Sequence, residues 1–285
     1  MNKNIKKPEA IILSASRMTD MPAWYPRAII DEYTHRRQKG KSIHTLVLWT
    51  KHPEALFREP LHAFLERIKR EGVQLFLQLT VTGMGGMICG TQRDGRHWKP
   101  EPKAPSPEKC LGILPEIINF LGTPDRILLR IDPLIKIRDA VGKFYSNVQE
   151  FEKIAEAASS QGIRYYTFSL VQPGIYRKVD QRFEKEGISL LTFSVQEQKQ
   201  LRIQFQEMEE RLRIHISACC VDGWATSACI DGEKFMKLHP LAPEVSLRQP
   251  RSRPLCGCTV STDLGGWPPK ACPTGCIYCY ARPQR

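Results

Sequence analysis

Six short apolar runs, separated by helical patterns, constrain the fold of this 285-residue chain more than any other feature. They are "AIILSAS" (10–16), "HTLVLWT" (44–50), "VQLFLQLTVT" (73–82), "RILLRID" (126–132), "RYYTFSLV" (164–171) and "RLRIHISA" (211–218). Each is short and rich in branched or aromatic residues, as suits strands buried on both faces of a parallel sheet.

The intervening segments carry helix signals. Leu61, Phe64, Leu65 and Ile68 form one apolar stripe at i, i+3, i+4 and i+7, and Leu201, Phe205, Met208 and Leu212 form another. "SNVQ" (146–149) and "SVQE" (194–197) fit capping boxes, and Ser106–Pro107 marks a further helix start. Six strands alternating with helices predict an α/β fold, either a barrel or a doubly wound sheet. No linker splits the series, so the expectation is a partial (β/α)6 TIM-like barrel over residues 1–218. A cysteine-rich segment, 219–285, is expected to fold over the carboxyl ends of its strands. Residues 83–105 are too long and polar for an ordinary βα connection, and such loops often bind ligands or act as lids.

Ligands in these sheets bind at the carboxyl ends of the strands. Arg17 and Asp20 follow the first run, and Thr82 and Gly83 follow the third. Arg130 and Asp132 close the fourth, and Ser169 and Gln172 the fifth. All eight are candidate cofactor-binding residues. The alternatives are structural: Asp20 as a helix cap near Pro22, and Arg130 with Asp132 as an ion pair. Glycines 83, 85 and 86 would let backbone approach a ligand. No helix pattern follows them, so a dinucleotide fingerprint fits poorly.

The balance of 42 Lys+Arg against 30 Asp+Glu gives a formal charge of +12, which favours polyanionic partners such as nucleic acid. No apolar run approaches the ~20 residues of a membrane span. The basic amino-terminal tail precedes a run too short for a signal peptide, so a cytoplasmic location is expected.

Ten cysteines in such a chain argue for metal rather than disulfides. Cys89 and Cys110 are isolated, whereas the other eight fall in the last quarter. Cys272, Cys276 and Cys279 form C-x3-C-x2-C with Tyr278 before the last. A closed zinc site wants four ligands, and so does a ferredoxin-type cluster, so three leave one iron of a 4Fe-4S cluster open. Of the remaining five, Cys219, Cys229, Cys256 and Cys258 are a candidate set for an auxiliary 4Fe-4S cluster or a zinc ion. Small buried hydrophobes are the alternative.

"CPTGCIYC" closely resembles the cluster loop of the radical S-adenosylmethionine superfamily. The resemblance implies a 4Fe-4S cluster on Cys272, Cys276 and Cys279, with S-adenosylmethionine on the open iron and Tyr278 beside it. It also implies a reductant such as flavodoxin or ferredoxin. One-electron cleavage would then give a 5′-deoxyadenosyl radical that abstracts hydrogen from substrate. A wider resemblance rests on "SASRMTDMPAWY", "LWTKHP", "LTVTG", "RIDPLI", "CIDG", "CGCTVSTDLGGW" and "CPTGCIYCYA", in that order. These are similar to an uncharacterised bacterial family, domain of unknown function 1848, which implies the chemistry without a substrate. "GCIYCYARP" is also similar to the cluster loop of spore photoproduct lyase-like proteins, which would imply a nucleic-acid substrate. Two departures stand out. The superfamily's cluster loop follows the first barrel strand, but here it follows the last, and the chain lacks the "GGE" that holds the cofactor's amino group, having only "GGM" (85–87) after a different strand. The competing expectation is a non-catalytic zinc or iron–sulfur protein that binds nucleic acid through its basic surface.

Overall fold

The structure is a computed structural model that describes residues 10–241, 243–251 and 254–281. The basic tail at residues 1–9 lies outside the described residues. All six apolar runs form strands: β1 (Ile11–Ala15), β2 (Ile43–Thr50), β3 (Gln74–Thr80), β4 (Ile127–Arg130), β5 (Tyr165–Phe168) and β6 (His215–Ala218). A short seventh, β7 (Thr262–Asp263), comes from the cysteine-rich segment. They build one parallel sheet in the order β6-β5-β4-β3-β2-β1-β7.

The sheet is open. Its edges are β6 and β7, which do not pair, so the α/β class holds and the expected barrel closure is not seen. The reason lies in how the two faces are covered. Side chains alternate along each strand. Leu13, Leu46, Leu48, Leu77 and Leu129 face one core with helices α1 (Pro26–Gln38), α2 (Leu61–Arg70), α3 (Leu114–Leu121), α4 (Val148–Ser159) and, beyond α5 (Arg177–Lys185), α6 (Val195–Leu212). Ile12, Val47, Trp49, Phe76 and Leu128 face a second core, filled by Cys229, Ile230, Val245, Cys258 and Phe235 of α7 (Gly232–Leu238). A closed barrel would cover that second face with its own strands; here residues 229–258 cover it.

Polar groups on the second face bond to this segment and to Ser227 just before it. Gln78 Nε2 donates to the Cys229 carbonyl at 2.6 Å, and Gln74 Nε2 to the Phe235 carbonyl at 3.1 Å. Thr167 Oγ1 donates to Ser227 Oγ at 2.8 Å. Left without these partners inside the protein, each group would cost about 1–3 kcal/mol.

The two apolar stripes are buried as their spacing requires, apart from Leu212, which packs at the edge. Ser194 and Glu197 form the reciprocal capping box of α6. The box expected at 146–149 does not form. Asn147 is the N-cap of α4 and its side chain makes no cap bond. It accepts from Ile135 N at 2.8 Å and donates to the carbonyls of Thr82 and Pro133, so it ties the ends of β3 and β4 together.

The long 83–105 connection does not hang free. With residues 135–137, α5 and residues 188–190 it forms a third apolar cluster around Met84, Trp98, Ile137 and Phe183, into which Ile277 and Tyr278 insert.

His44, near the start of β2, is buried with its ring 4.4 Å from that of His239, which caps α7. Burial and the neighbouring imidazole lower its pKa from 6.5 to about 4. Between those values the unfolded chain binds a proton that the folded chain does not, so stability is present above pH 6.5 and is lost as pH falls toward 4. Urea unfolding should show about 2 kcal/mol less stability at pH 5 than at pH 7 from this group. His44→Gln should flatten that part of the profile; an unchanged slope would contradict the assignment.

Candidate functional site

The terminal cysteine loop lies across the carboxyl ends of β1, β2 and β3, held by a series of hydrogen bonds. Thr19 Oγ1 donates to the Lys270 carbonyl at 2.8 Å, and the Tyr25 hydroxyl to that of Ala271 at 2.6 Å. Trp24 Nε1 donates to the buried Thr274 Oγ1 at 2.9 Å, and His52 Nε2 lies 3.0 Å from the same oxygen. Ile277 N donates to the Pro100 carbonyl at 2.9 Å. Arg182 Nη2, on α5, donates to the Cys279 carbonyl at 2.6 Å.

At the centre of these contacts is a buried charge network that sequence reasoning missed. Glu101 is 2% exposed, and its Oε1 accepts from Lys51 Nζ at 2.9 Å, from Thr82 Oγ1 at 2.7 Å and from the Tyr278 hydroxyl. Burial opposes the charge on Lys51, but Glu101, Cys276 and Asp132 together hold its pKa above the usual lysine value. Burial pushes the Cys276 thiol up, against the pull of Lys51. Burial also raises the Tyr278 phenol, with Cys276 and Glu101 adding to it. The available signals were a lysine directly after the second apolar run and one carboxylate between prolines in "KPEPK".

Several candidates from the strand ends make structural contacts. Asp20 caps the helix Met21–Trp24 through Ala23 N. Its oxygens also accept from Thr50 Oγ1 at 2.8 and 3.0 Å and from Lys51 N at 2.8 Å. It clamps the end of β1 to that of β2, and burial raises its pKa. Gly83 has φ +84°, and a Cβ there would lie 2.5 Å from Glu150 Cβ. A Cβ on Gly85 would lie 1.9 Å from the Pro105 carbonyl oxygen. These glycines make room for the chain's own backbone and side chains. Arg17 and Gln172 are exposed at the rim, outside the network.

Arg130, Asp132 and Ser169 do come together. The Arg130 guanidinium pairs with Asp132, whose other oxygen accepts from Ser169 Oγ. Arg130 lies over the Trp49 ring, 5.1 Å from its centroid, and its Nη1 donates to Cys229 Sγ at 2.7 Å. The neighbouring Cys219 and Cys258 thiols, together with Arg130, hold the Cys229 thiol well below the usual range despite burial. The thiols of Cys219 and Cys258 are pushed up by the neighbouring Cys229 and by burial. Cys256 is half-buried beside Cys258.

No cysteine is disulfide-bonded among the described residues. Nor, among them, is any group of three or more His, Cys, Asp or Glu side chains arranged to hold a metal ion. Cys89 and Cys110 are core thiols, pushed up by burial to about 11 and about 12. The terminal loop carries three soft thiols, the kind of donor an iron–sulfur cluster takes, and one of them, Cys276, lies near the buried Lys51 ammonium.

An open parallel sheet whose carboxyl-terminal cysteine loop spans the strand ends defines an α/β protein with its candidate site built last in the chain. The chain belongs to a family described only as domain of unknown function (DUF1848), whose sequence model matches residues 12–281. No curated protein and no solved structure matches the chain.

Thr274→Val keeps the shape of a buried side chain and removes the oxygen shared by Trp24 and His52. Hydrogen exchange should quicken across 270–279 while the amides of β2 and β3 are unchanged. Exchange in the loop at the wild-type rate would show that Thr274 does not anchor it.

Proposed function

We infer that this chain is a radical S-adenosylmethionine enzyme, with Cys272, Cys276 and Cys279 holding a 4Fe-4S cluster. The observation that carries the reading is the position of the three-cysteine loop, over the strand ends where sheets of this kind bind ligands. When bound, the cluster and S-adenosylmethionine supply one-electron cleavage of the sulfonium to a 5′-deoxyadenosyl radical, which takes hydrogen from a substrate.

The chain's own residues divide the supporting work. The three thiols leave one position without a protein ligand, as a cofactor-binding cluster needs. Lys51 offsets negative charge beside Cys276, and Glu101 fixes Lys51 and Tyr278 in a site with little access to water. Asp132 and Ser169 are the polar candidates for the cofactor at the ends of β4 and β5. Asp20 is committed to its clamp and drops out of that role. The formal charge of +12 favours an anionic substrate, with nucleic acid as one class. A flavodoxin or ferredoxin would supply the electron. No described helix is long and apolar enough to cross a membrane.

Anaerobically purified protein should be brown, and dithionite with S-adenosylmethionine should release 5′-deoxyadenosine. Cys276→Ala should abolish both colour and cleavage. A colourless zinc-bearing protein that makes no 5′-deoxyadenosine and binds nucleic acid would instead establish the non-catalytic alternative. Cleavage retained in Cys276→Ala would refute the ligand assignment.

A further inference from the structure

Cys229 and Cys258 are buried in one cluster with Cys256 against it, and the end of β6 brings Cys219 to the return that leads to Cys229, at a place the terminal loop does not reach. Three separate backbone arrangements bring them there. Cys219 follows directly on β6, and its amide donates to the Phe168 carbonyl at 2.7 Å. The chain then doubles back, with Ala218 N bonded to the Ala225 carbonyl at 2.8 Å and Ser227 N to the Ala218 carbonyl at 3.0 Å. This return sets Cys229 against Arg130 and Gln78. Gly257 then lies against the same return: its amide donates to the Ser227 carbonyl at 3.1 Å, and a Cβ there would stand 3.2 Å from that oxygen. A glycine between two cysteines therefore lets the C-x-C pair lie close to Cys229. Cys220 is outside the set. It sits at φ +56°, and its sulfur lies 3.9 Å from that of Cys219.

We propose that Cys219, Cys229, Cys256 and Cys258 form a second, thiolate metal site, distinct from the terminal loop, with Arg130 as its charge-compensating neighbour. The class of ligand is a thiophilic metal centre that takes four sulfurs, either zinc or a 4Fe-4S cluster. Four thiolates around Zn2+ leave a net charge of about −2, and burying that charge is costly unless it is paired. A guanidinium on one sulfur, itself fixed by Asp132 and Trp49, supplies the pairing. The thiols of Cys219 and Cys258, which are pushed up, would release their protons to solvent on metal binding.

The second site does not depend on the radical chemistry, and one protein preparation separates the two. The variant Cys272→Ala/Cys276→Ala/Cys279→Ala, expressed and purified anaerobically, should keep about one zinc, or about four iron with four sulfide, per chain. Zinc and iron content identify which centre it is. Adding Cys219→Ser and Cys258→Ser should remove that metal, with folding followed by far-ultraviolet circular dichroism. A folded triple variant without metal would overturn the proposal. So would metal retained after Cys219 and Cys258 are replaced, or a Cys229 disulfide in metal-free anaerobic protein. Should the triple variant not fold, the wild-type count decides. Two clusters, or one cluster plus one zinc, support the site, and a single centre lost in Cys276→Ala overturns it. A single centre untouched by Cys276→Ala but lost in Cys219→Ser would uphold this site and refute the terminal one.

Discussion

The contact between the second face of the sheet and the segment from Ser227 to Cys258 governs the rest of the structure. Gln74, Gln78, Arg130 and Thr167 point polar groups at a face that is otherwise apolar. A sheet presenting these groups to a purely hydrophobic cover would be penalised at every one of them. The covering segment answers with two carbonyls, a hydroxyl and a sulfur, placed in register with the strands. This matching also explains why the sheet stays open: its second face already has a cover, and β7 adds to the β1 edge rather than closing onto β6.

With that face covered, the strand ends become two neighbouring sites instead of one mouth. The terminal loop lies over β1, β2 and β3, and the Arg130–Cys229 group lies under β4, β5 and β6. Lys51 links them electrostatically, since it senses Cys276 and Glu101 on one side and Asp132 on the other. The third apolar cluster closes over the terminal loop through Ile277 and Tyr278, so the cysteines sit between two packed bodies rather than on a loose end.

Much of this was legible in the sequence, and the rest was hidden for definable reasons. Branched and aromatic runs marked all six long strands, because burial on both faces demands them. The two-residue β7 had no apolar run to mark it, and closure depends on edge pairing that periodicity does not encode. Gln74 and Gln78, inside an apolar run, were the visible trace of a polar second face. Asp20 showed its capping role in its place beside Pro22, and the structure adds the bond from Ala23 and the clamp onto β2. Asn147 looked like the second residue of a capping box, but as a buried amide it does more by joining two strand ends. Lys51 and Glu101 are fifty residues apart and read as ordinary loop residues, and only the fold makes them a pair.

The order of the chain has a consequence for biosynthesis. A ribosome delivers residues 10–218 before any of the eight carboxyl-terminal cysteines has emerged. The sheet can therefore take shape with no thiol cluster available to scavenge iron or zinc prematurely. Gln78, Arg130 and Thr167 find their partners only in the last quarter of the chain, which also completes the second hydrophobic cluster. A prematurely terminated chain would lack both its cover and its ligands, and the exposed second face would mark it as incomplete.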